Sequence, residues 1–410
     1  MKLLYVIQRY GDRIVGGSES ACREFAERLS GRGHDVDVLT SCAHNYVDWA
    51  DEYQPGTEEI NGVTVHRFPI VEKRTDKLFG PLQAWLMHHP GSAPLFEQQR
   101  WTTLMGPQLE GQRSWLLDNA HHYDVVIFMT YLYTTATQGL PTVAGRVPTI
   151  LQPTAHDEPP AYVSLYQSIF RQPDAFLFFT PDEKKVAERL YGISPEGQTI
   201  GIGIDLSGQR GDPTRARADF SLGNDPYLVY VGRLDPSKGV GELLGFFDAY
   251  KKRNKAKSNV KLVLAGDGDI KVPTRPDVIV TGFLEEQSKR DLIAGSSALI
   301  QSSYFESFSI VLCEAWRESR PALVQGASEV LRGQAIRSGG AIPYQGFAEF
   351  EASVNYILDN PAVADQMGQS GFQYIAANYD WNIVLGRFEE TLSLAQERFS
   401  QRRLKTKHML

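Results

Sequence analysis

Two glutamates, Glu306 and Glu314, bracket the run ESFSIVLCE, and the residues between them suit a phosphorylated sugar. The apolar stretch 298–304 before them reads as a buried strand. Ile310, Val311 and Ala315 read as the inner face of a helix, so Phe308, Ser309 and Ile310 fall at that helix's N-terminus. Unpaired amides and the positive dipole end point the same way there, which makes an anion site fit for the diphosphate of a nucleotide sugar. Glu306 sits just before the helix, within reach of hydroxyls on whatever hangs from the phosphates. Glu314 lies about 8 Å further along at ~1.5 Å per residue, near a ribose. Glutamates at this spacing also arise on solvated helix faces. A second cluster lies upstream: the loop GRLDPSKG carries Arg233 and Lys238, a planar fork and a point charge that can both grip phosphate oxygens, or that serve as ordinary surface charge.

These residues must be held by folded domains, and 410 residues suffice for two or three. A composition 42% hydrophobic and 22% charged is that of a globular enzyme. The net charge of -7 gives no reason to expect nucleic acid as a partner. Cys22, Cys42 and Cys313 form no CxxC pair and leave an odd thiol in any disulfide scheme, which favours a reducing compartment and shows no zinc motif. The N-terminal apolar run is too short for a signal sequence, and eighteen uninterrupted apolar residues occur nowhere. The chain is expected to be cytoplasmic, at most attached to the inner face of a membrane.

The order of segments predicts an α/β protein with two doubly wound, Rossmann-like domains facing a cleft. In residues 1–205, LLYVI, VDVLT, GVTVHRF, VVIFMT, TILQ and AFLFFT read as strands, with a last one near 199–204. Cys22, Phe25, Ala26 and Leu29 mark the first crossover helix, and PDEKKVAERLYG marks a later one. The glycine loop 11–17 joins the first strand to its helix, where open parallel sheets bind ligands, although any such turn needs glycine. Neither it nor LAGDGDI matches the GxGxxG dinucleotide fingerprint, so nicotinamide chemistry is poorly supported. Residues 71–122 break the alternation as an inserted helical lobe. Its Lys73, Arg74 and Lys77 precede Phe79, Leu82, Trp85, Leu86 and Met87, a pattern for peripheral membrane contact or for packing on its own domain. Polar residues 206–225 read as a linker. A second sheet follows over 226–385, with Val240, Leu243, Leu244 and Phe247 on one helix face. Residues 386–410 form a C-terminal helix and basic tail, with Arg398, Arg402, Arg403, Lys405 and Lys407, expected to cross back to the first domain or to fray in solvent.

Taken together, these motifs resemble the retaining GT-B-fold glycosyltransferases of family four, the group 1 glycosyl transferases. The resemblance rests on VGRLDPSKG at 231–239, LAGDGD at 264–269, VTGFL at 280–284, ESFSIVLCEA at 306–315 and YDWNIVLGRF around Trp381. In the first domain it rests on Gly16 and Gly17, AHDEP at 155–159 and the terminal GIGIDL. It implies a nucleotide-sugar donor, linked to UDP or GDP, and a glycan, lipid-linked or small-molecule acceptor, with neither cofactor nor metal. Arg233, Lys238 and the amides of Phe308, Ser309 and Ile310 would cradle the diphosphate. Glu306 would hold sugar hydroxyls, Glu314 the ribose, and main chain near Phe283 and Leu284 the base. His156 would reach the donor sugar near Gly17, across the cleft. Asp157 is a candidate base, beside a front-face reaction in which the leaving phosphate deprotonates the acceptor.

The sequence departs from that family's pattern. Ser309 replaces the usual glycine, AWRESRPALV replaces a run of small residues, and the helical lobe is unusual. A GT-B epimerase or phosphorylase, or a non-catalytic sugar-nucleotide binding module, would also fit the fold.

Overall fold

The computed structural model describes residues 1–14 and 16–409, with side chains described to residue 405. The chain divides into two compact units: Met1–Ile200 with Leu385–Leu410, and Gly201–Val384.

The first unit is built on an eight-stranded sheet. Its strands are β1 (Lys2–Val6), β2 (Asp35–Ser41), β3 (Gly56–Ile60), β4 (Val63–Phe68), β5 (Val125–Met129), β6 (Thr149–Gln152), β7 (Ala175–Phe178) and β8 (Gly197–Thr199), in the order β3-β4-β2-β1-β5-β6-β7-β8. Strands β1, β5, β6 and β7 are apolar almost throughout because the sheet is covered on both faces. All neighbours run parallel except β3 and β4, which form a hairpin expected as a single strand. Asn61 and Gly62 turn it, both at positive φ (50° and 79°), the backbone that a two-residue hairpin turn requires.

Helix α1 (Gly17–Gly31) buries Cys22, Phe25, Ala26 and Leu29, the face read from their spacing. Residues 71–122 fold as α2 (Asp76–His88), α3 (Leu95–Met105) and α4 (Gln112–Asn119). These helices pack on the sheet: Leu86, Trp101, Met105 and Leu116 share one core with Leu4, Val6, Phe128 and Leu151. Arg74 belongs to that packing, since it donates to the Val47 carbonyl at 2.8 Å and to the Tyr46 carbonyl and lies against Phe79. Leu78, Trp85, Leu95 and Phe96 stay exposed. Helix α5 (Pro181–Tyr191) starts at Thr180, whose hydroxyl accepts from the Glu183 amide.

The C-terminal helix, Trp381–Met409, sets Phe388 against Tyr5 and Phe25. Two of its basic residues are engaged rather than frayed. Arg402 donates to the carbonyls of Gln172 and Pro173 and pairs with Asp174 at 3.3 Å, and Arg398 pairs with Glu196 at 3.5 Å. Lys405 is exposed, and the side chain of Lys407 lies outside the described residues, as does Val15 of the glycine loop. No described helix is long and apolar enough to cross a membrane.

The second unit has six parallel strands: β9 (Tyr227–Val231), β10 (Lys261–Ala265), β11 (Val278–Gly282), β12 (Ala298–Gln301), β13 (Ala322–Gln325) and β14 (Ala341–Tyr344), in the order β11-β10-β9-β12-β13-β14. The polar stretch 206–225 is folded onto this unit. Asp212 caps α6 (Pro213–Asp219), and the amides of Gly211 and Asp212 donate to Glu318 and Asp291. Helix α7 (Val240–Arg253) buries Val240, Leu243, Phe247 and Tyr250 against the strands. The helices nearest the candidate site are α8 (Glu286–Ala294), α9 (Ile310–Arg317) and α10 (Glu329–Ser338). Parallel strands send their following loops to one edge of the sheet, which is how residues far apart in sequence meet.

Candidate functional site

Strands β9 and β12 are neighbours, so the loops after them leave the sheet side by side. Those loops bring Lys238 and Glu306 together, with Nζ 2.9 Å from Oε1 and side chains 30% and 13% exposed. The loops are tied directly: Ser302 Oγ donates to the Lys238 carbonyl at 2.8 Å. Gly239, at φ +70°, permits that approach, because a Cβ there would lie 2.2 Å from the Ser302 carbonyl oxygen. Asp235 closes the turn by accepting from the Ser237 amide. Arg233 is exposed on the same loop, where its carbonyl accepts from Tyr230 OH.

The glycines of LAGDGD answer to packing. A Cβ at Gly266 would come within 2.0 Å of the Gly232 carbonyl oxygen, so that loop lies directly on the loop carrying Arg233. Asp267 then accepts from the Phe283 amide at 3.0 Å, fixing the turn in which the Phe283 ring is 65% exposed and Leu284 follows.

Ser309 is the N-cap of α9, with a left-handed backbone (φ 73°, ψ 81°). Its hydroxyl accepts from Gln301 Nε2 at 2.9 Å, which explains how a residue other than glycine is held there. Phe308 is buried edge-on against Tyr379, and its carbonyl accepts from Gln334 of α10. Ile310 begins the helix, so the cap is anchored by side chains of β12 and α10 while the first-turn amides of α9 have no partner within the helix.

Glu314 lies within α9, 18% exposed, with Oε1 2.7 Å from Lys289 Nζ. Lys289 on α8 also reaches Glu286 Oε2 at 2.7 Å. Burial opposes the charge on Lys289, but Glu314 and then Glu286 outweigh it and hold the ammonium above its ordinary pKa.

In the first unit the candidates sit on two loops, at the C-terminal ends of β1 and β6, which flank β5. Gly16 is in extended backbone, and a Cβ there would meet Glu19 Oε2 at 2.4 Å; Gly17 is exposed with open space around it. Below them Glu19 pairs with buried Arg9 at 2.5 Å and accepts from Gln8 and Ser18. His156 Nδ1 is 3.2 Å from Glu158 Oε1. Asp157 accepts from Arg189 at 2.6 Å and from Tyr162 OH at 2.7 Å, which fits a loop anchor better than a proton acceptor. The loop is pinned underneath by Glu183, fully buried, which accepts from the amides of Ala155 and Phe179. Burial pushes the Glu183 carboxyl up to about 7, against the pull of those amides.

Lys289, Glu183, Glu19 and Asp267 are the residues that reading the sequence missed. Only Asp267 carried a signal, its place inside a glycine-flanked motif. Among the described residues no group of three or more His, Cys, Asp or Glu is arranged to hold a metal ion.

Two family models match the chain: Glycosyl transferase 4-like domain over residues 16–200 and Glycosyl transferases group 1 over residues 214–374. The chain is 25% identical to an uncharacterized glycosyltransferase of Methanocaldococcus jannaschii over 81% of its length and 83% of that protein's. It is 24% identical to a glycogen synthase of Mycobacterium tuberculosis over 94% of its own length and 92% of the relative's. Among solved structures, Anabaena HepE in complex with UDP-glucose superposes with a TM-score of 0.68 at 15% identity, covering 96% of this chain and 99% of that one. Between them the two models span both sheets, and the chain belongs to the group 1 glycosyltransferases of GT-B fold, enzymes that use nucleotide sugars.

Proposed function

We propose that this chain moves a hexosyl unit from a UDP- or GDP-linked sugar to a hydroxyl acceptor, with retention of configuration and without a metal, in polysaccharide or glycolipid assembly. The observation that carries the reading is the Lys238–Glu306 pair beside the N-terminus of α9. A cation, a carboxylate and the amides of a helix N-terminus on one rim suit a sugar diphosphate, which needs donors for its phosphates and an acceptor for its hydroxyls. UDP-glucose in the HepE structure favours UDP over GDP.

Breaking the anomeric bond leaves positive charge on the sugar and adds negative charge to the nucleoside diphosphate. Arg233, Lys238 and the amides of Phe308, Ser309 and Ile310 stabilise that negative charge. Glu306 accepts from sugar hydroxyls and Glu314 from the ribose, while main chain around Phe283 and Leu284 meets the base. His156, with Gly16 and Gly17, is assigned to the donor sugar. The acceptor oxygen bonds to the anomeric carbon as the phosphate bond breaks, and the acceptor proton passes to the leaving phosphate. Asp157 is the weaker base, because Arg189 and Tyr162 already occupy it. The reading puts the reaction in the cytoplasm, and exposed Leu78, Trp85 and Phe96 support contact with the inner membrane face when the acceptor is a lipid.

Incubation with labelled UDP- and GDP-sugars tests the reading. Release of nucleoside diphosphate together with an α-linked product by NMR is expected from an α-linked donor. An inverted linkage would remove the front-face mechanism, and binding without turnover would leave only a binding module.

A further inference from the structure

A role for Lys289 rests on the proposed reading in which Glu314 holds the ribose. A carboxylate can take the two hydroxyls of a ribose only if its oxygens are held in place and kept ionised. Glu314 is 18% exposed, which makes an uncompensated charge there costly. Among the described residues its ion-pair partner is Lys289, at 2.7 Å. The other carboxylate on that lysine, Glu286, is in a different position: it is 53% exposed and also pairs with Arg290 at 3.0 Å. Removing Lys289 therefore leaves Glu286 solvated and paired, and leaves Glu314 alone. The four groups Lys289, Arg290, Glu286 and Glu314 balance in charge, so the arrangement has no surplus cation for a phosphate.

Position adds the second half. Lys289 lies on α8, which begins at Glu286, directly after the Phe283–Leu284 turn assigned to the base. Asp267 fixes that turn from one side through the Phe283 amide. Lys289 ties its helix to Glu314 of α9 on the other. We propose that Lys289 is a positioning residue for the nucleoside: it fixes Glu314 Oε1, leaves the remaining lone pairs for the ribose hydroxyls, and locks the spacing between ribose carboxylate and base turn. Selection of ribonucleotide over 2′-deoxyribonucleotide is then set through Lys289.

The test uses the full chain and calorimetric binding of UDP, GDP and their 2′-deoxy forms. Lys289→Met is expected to weaken binding of the preferred ribonucleotide about tenfold and to erase most of its preference over the 2′-deoxy form, while Lys289→Arg retains the preference. Activity with the matching sugar should show the loss in KM, with kcat within about threefold. A merely structural lysine would lower the melting temperature and leave the ribo-to-deoxy ratio unchanged. Where Lys289→Met folds poorly, the double variant Lys289→Met with Glu314→Gln removes both charges and should bind no worse than Glu314→Gln alone; additive losses overturn the proposal. If Glu314→Gln loses the preference and Lys289→Met keeps it, the positioning role fails and the ribose assignment stands. If Glu314→Gln itself keeps the preference, or neither nucleotide binds, the reading beneath it fails.

Discussion

Replacing Ser309 separates two opposing forces at the mouth of α9. Its backbone lies at φ 73° and ψ 81°, a left-handed conformation that costs a residue with a Cβ roughly 1–2 kcal/mol. Glycine relieves that. It also deletes the hydroxyl that accepts from Gln301 Nε2, and Gln301 cannot turn away, because its Oε1 already accepts from the Ser303 amide. Gln301 is 5% exposed, so its orphaned donor costs about 1–3 kcal/mol. Glycine further loosens the unfolded chain, by about 0.4–1 kcal/mol. Hydrogen-bond loss and entropy together exceed the relief, and Ser309→Gly should be less stable than wild type by about 1 kcal/mol. Ser309→Ala loses the same hydrogen bond without relief and should be lower by about 2 kcal/mol. For a unit of this size each step corresponds to about 2–4 °C in melting temperature. Urea titration of the full chain should give the order wild type, glycine, alanine at a common slope. Alanine equal to or above glycine would show that no strain is stored at 309. Glycine above wild type would show that the Gln301 bond is worth less than the strain it restrains.

Glu306→Ala should abolish transfer while the melting curve stays near wild type; two charge-assisted hydrogen bonds at about 1.5–3 kcal/mol each put the loss at 100-fold or more, read as the initial rate of nucleoside diphosphate release. Trp316, fully buried with its indole donating to the Gly340 carbonyl at 2.9 Å, should cost about 3–5 kcal/mol on truncation to alanine, measured by denaturant midpoint. Glu183 titrates at about 7 when folded against an ordinary 4.5, so the folded state binds its proton more tightly. The resulting stability is complete below about 4.5 and lost as pH rises through about 7, and Glu183→Gln should flatten melting temperature against pH across that window.

What could be read from the chain divides by distance. The cap at 308–310 and the cations of 231–239 lie on contiguous motifs, where strand, turn and helix signals follow one another within a few residues. The β3 strand was missed because GTEEI is exposed on both faces, so no alternation betrays it, although Asn61–Gly62 carried a hairpin signal. Lys289 and Glu183 were illegible for a different reason. On helices rich in charge such residues read as solvated faces, and only pairing across 25 and 28 residues, to Glu314 and to the Ala155 amide, gives them a role. Ser309 stood out as a departure, but its support by Gln301 required the strand and the cap to be seen together.

The same pairing sets how a donor would be recognised. Each motif carboxylate is paired with a lysine, Lys238 on Glu306 and Lys289, shared with Glu286, on Glu314, so neither charge is bare before any ligand binds. A diphosphate reaching that rim meets little net positive charge from these four groups, and the chain as a whole carries -7. On the proposed reading, long-range attraction is therefore weak, and selection falls to short-range donors: Arg233, the first amides of α9 and whatever share of Lys238 the phosphate draws from Glu306. That transfer links the two ends of the ligand. As Lys238 turns to phosphate, the Glu306 oxygen it leaves becomes an open acceptor, and a sugar hydroxyl is the group able to fill it. A nucleoside diphosphate without its sugar would expose Glu306 and replace nothing, so the paired arrangement favours the intact donor over the product that must leave.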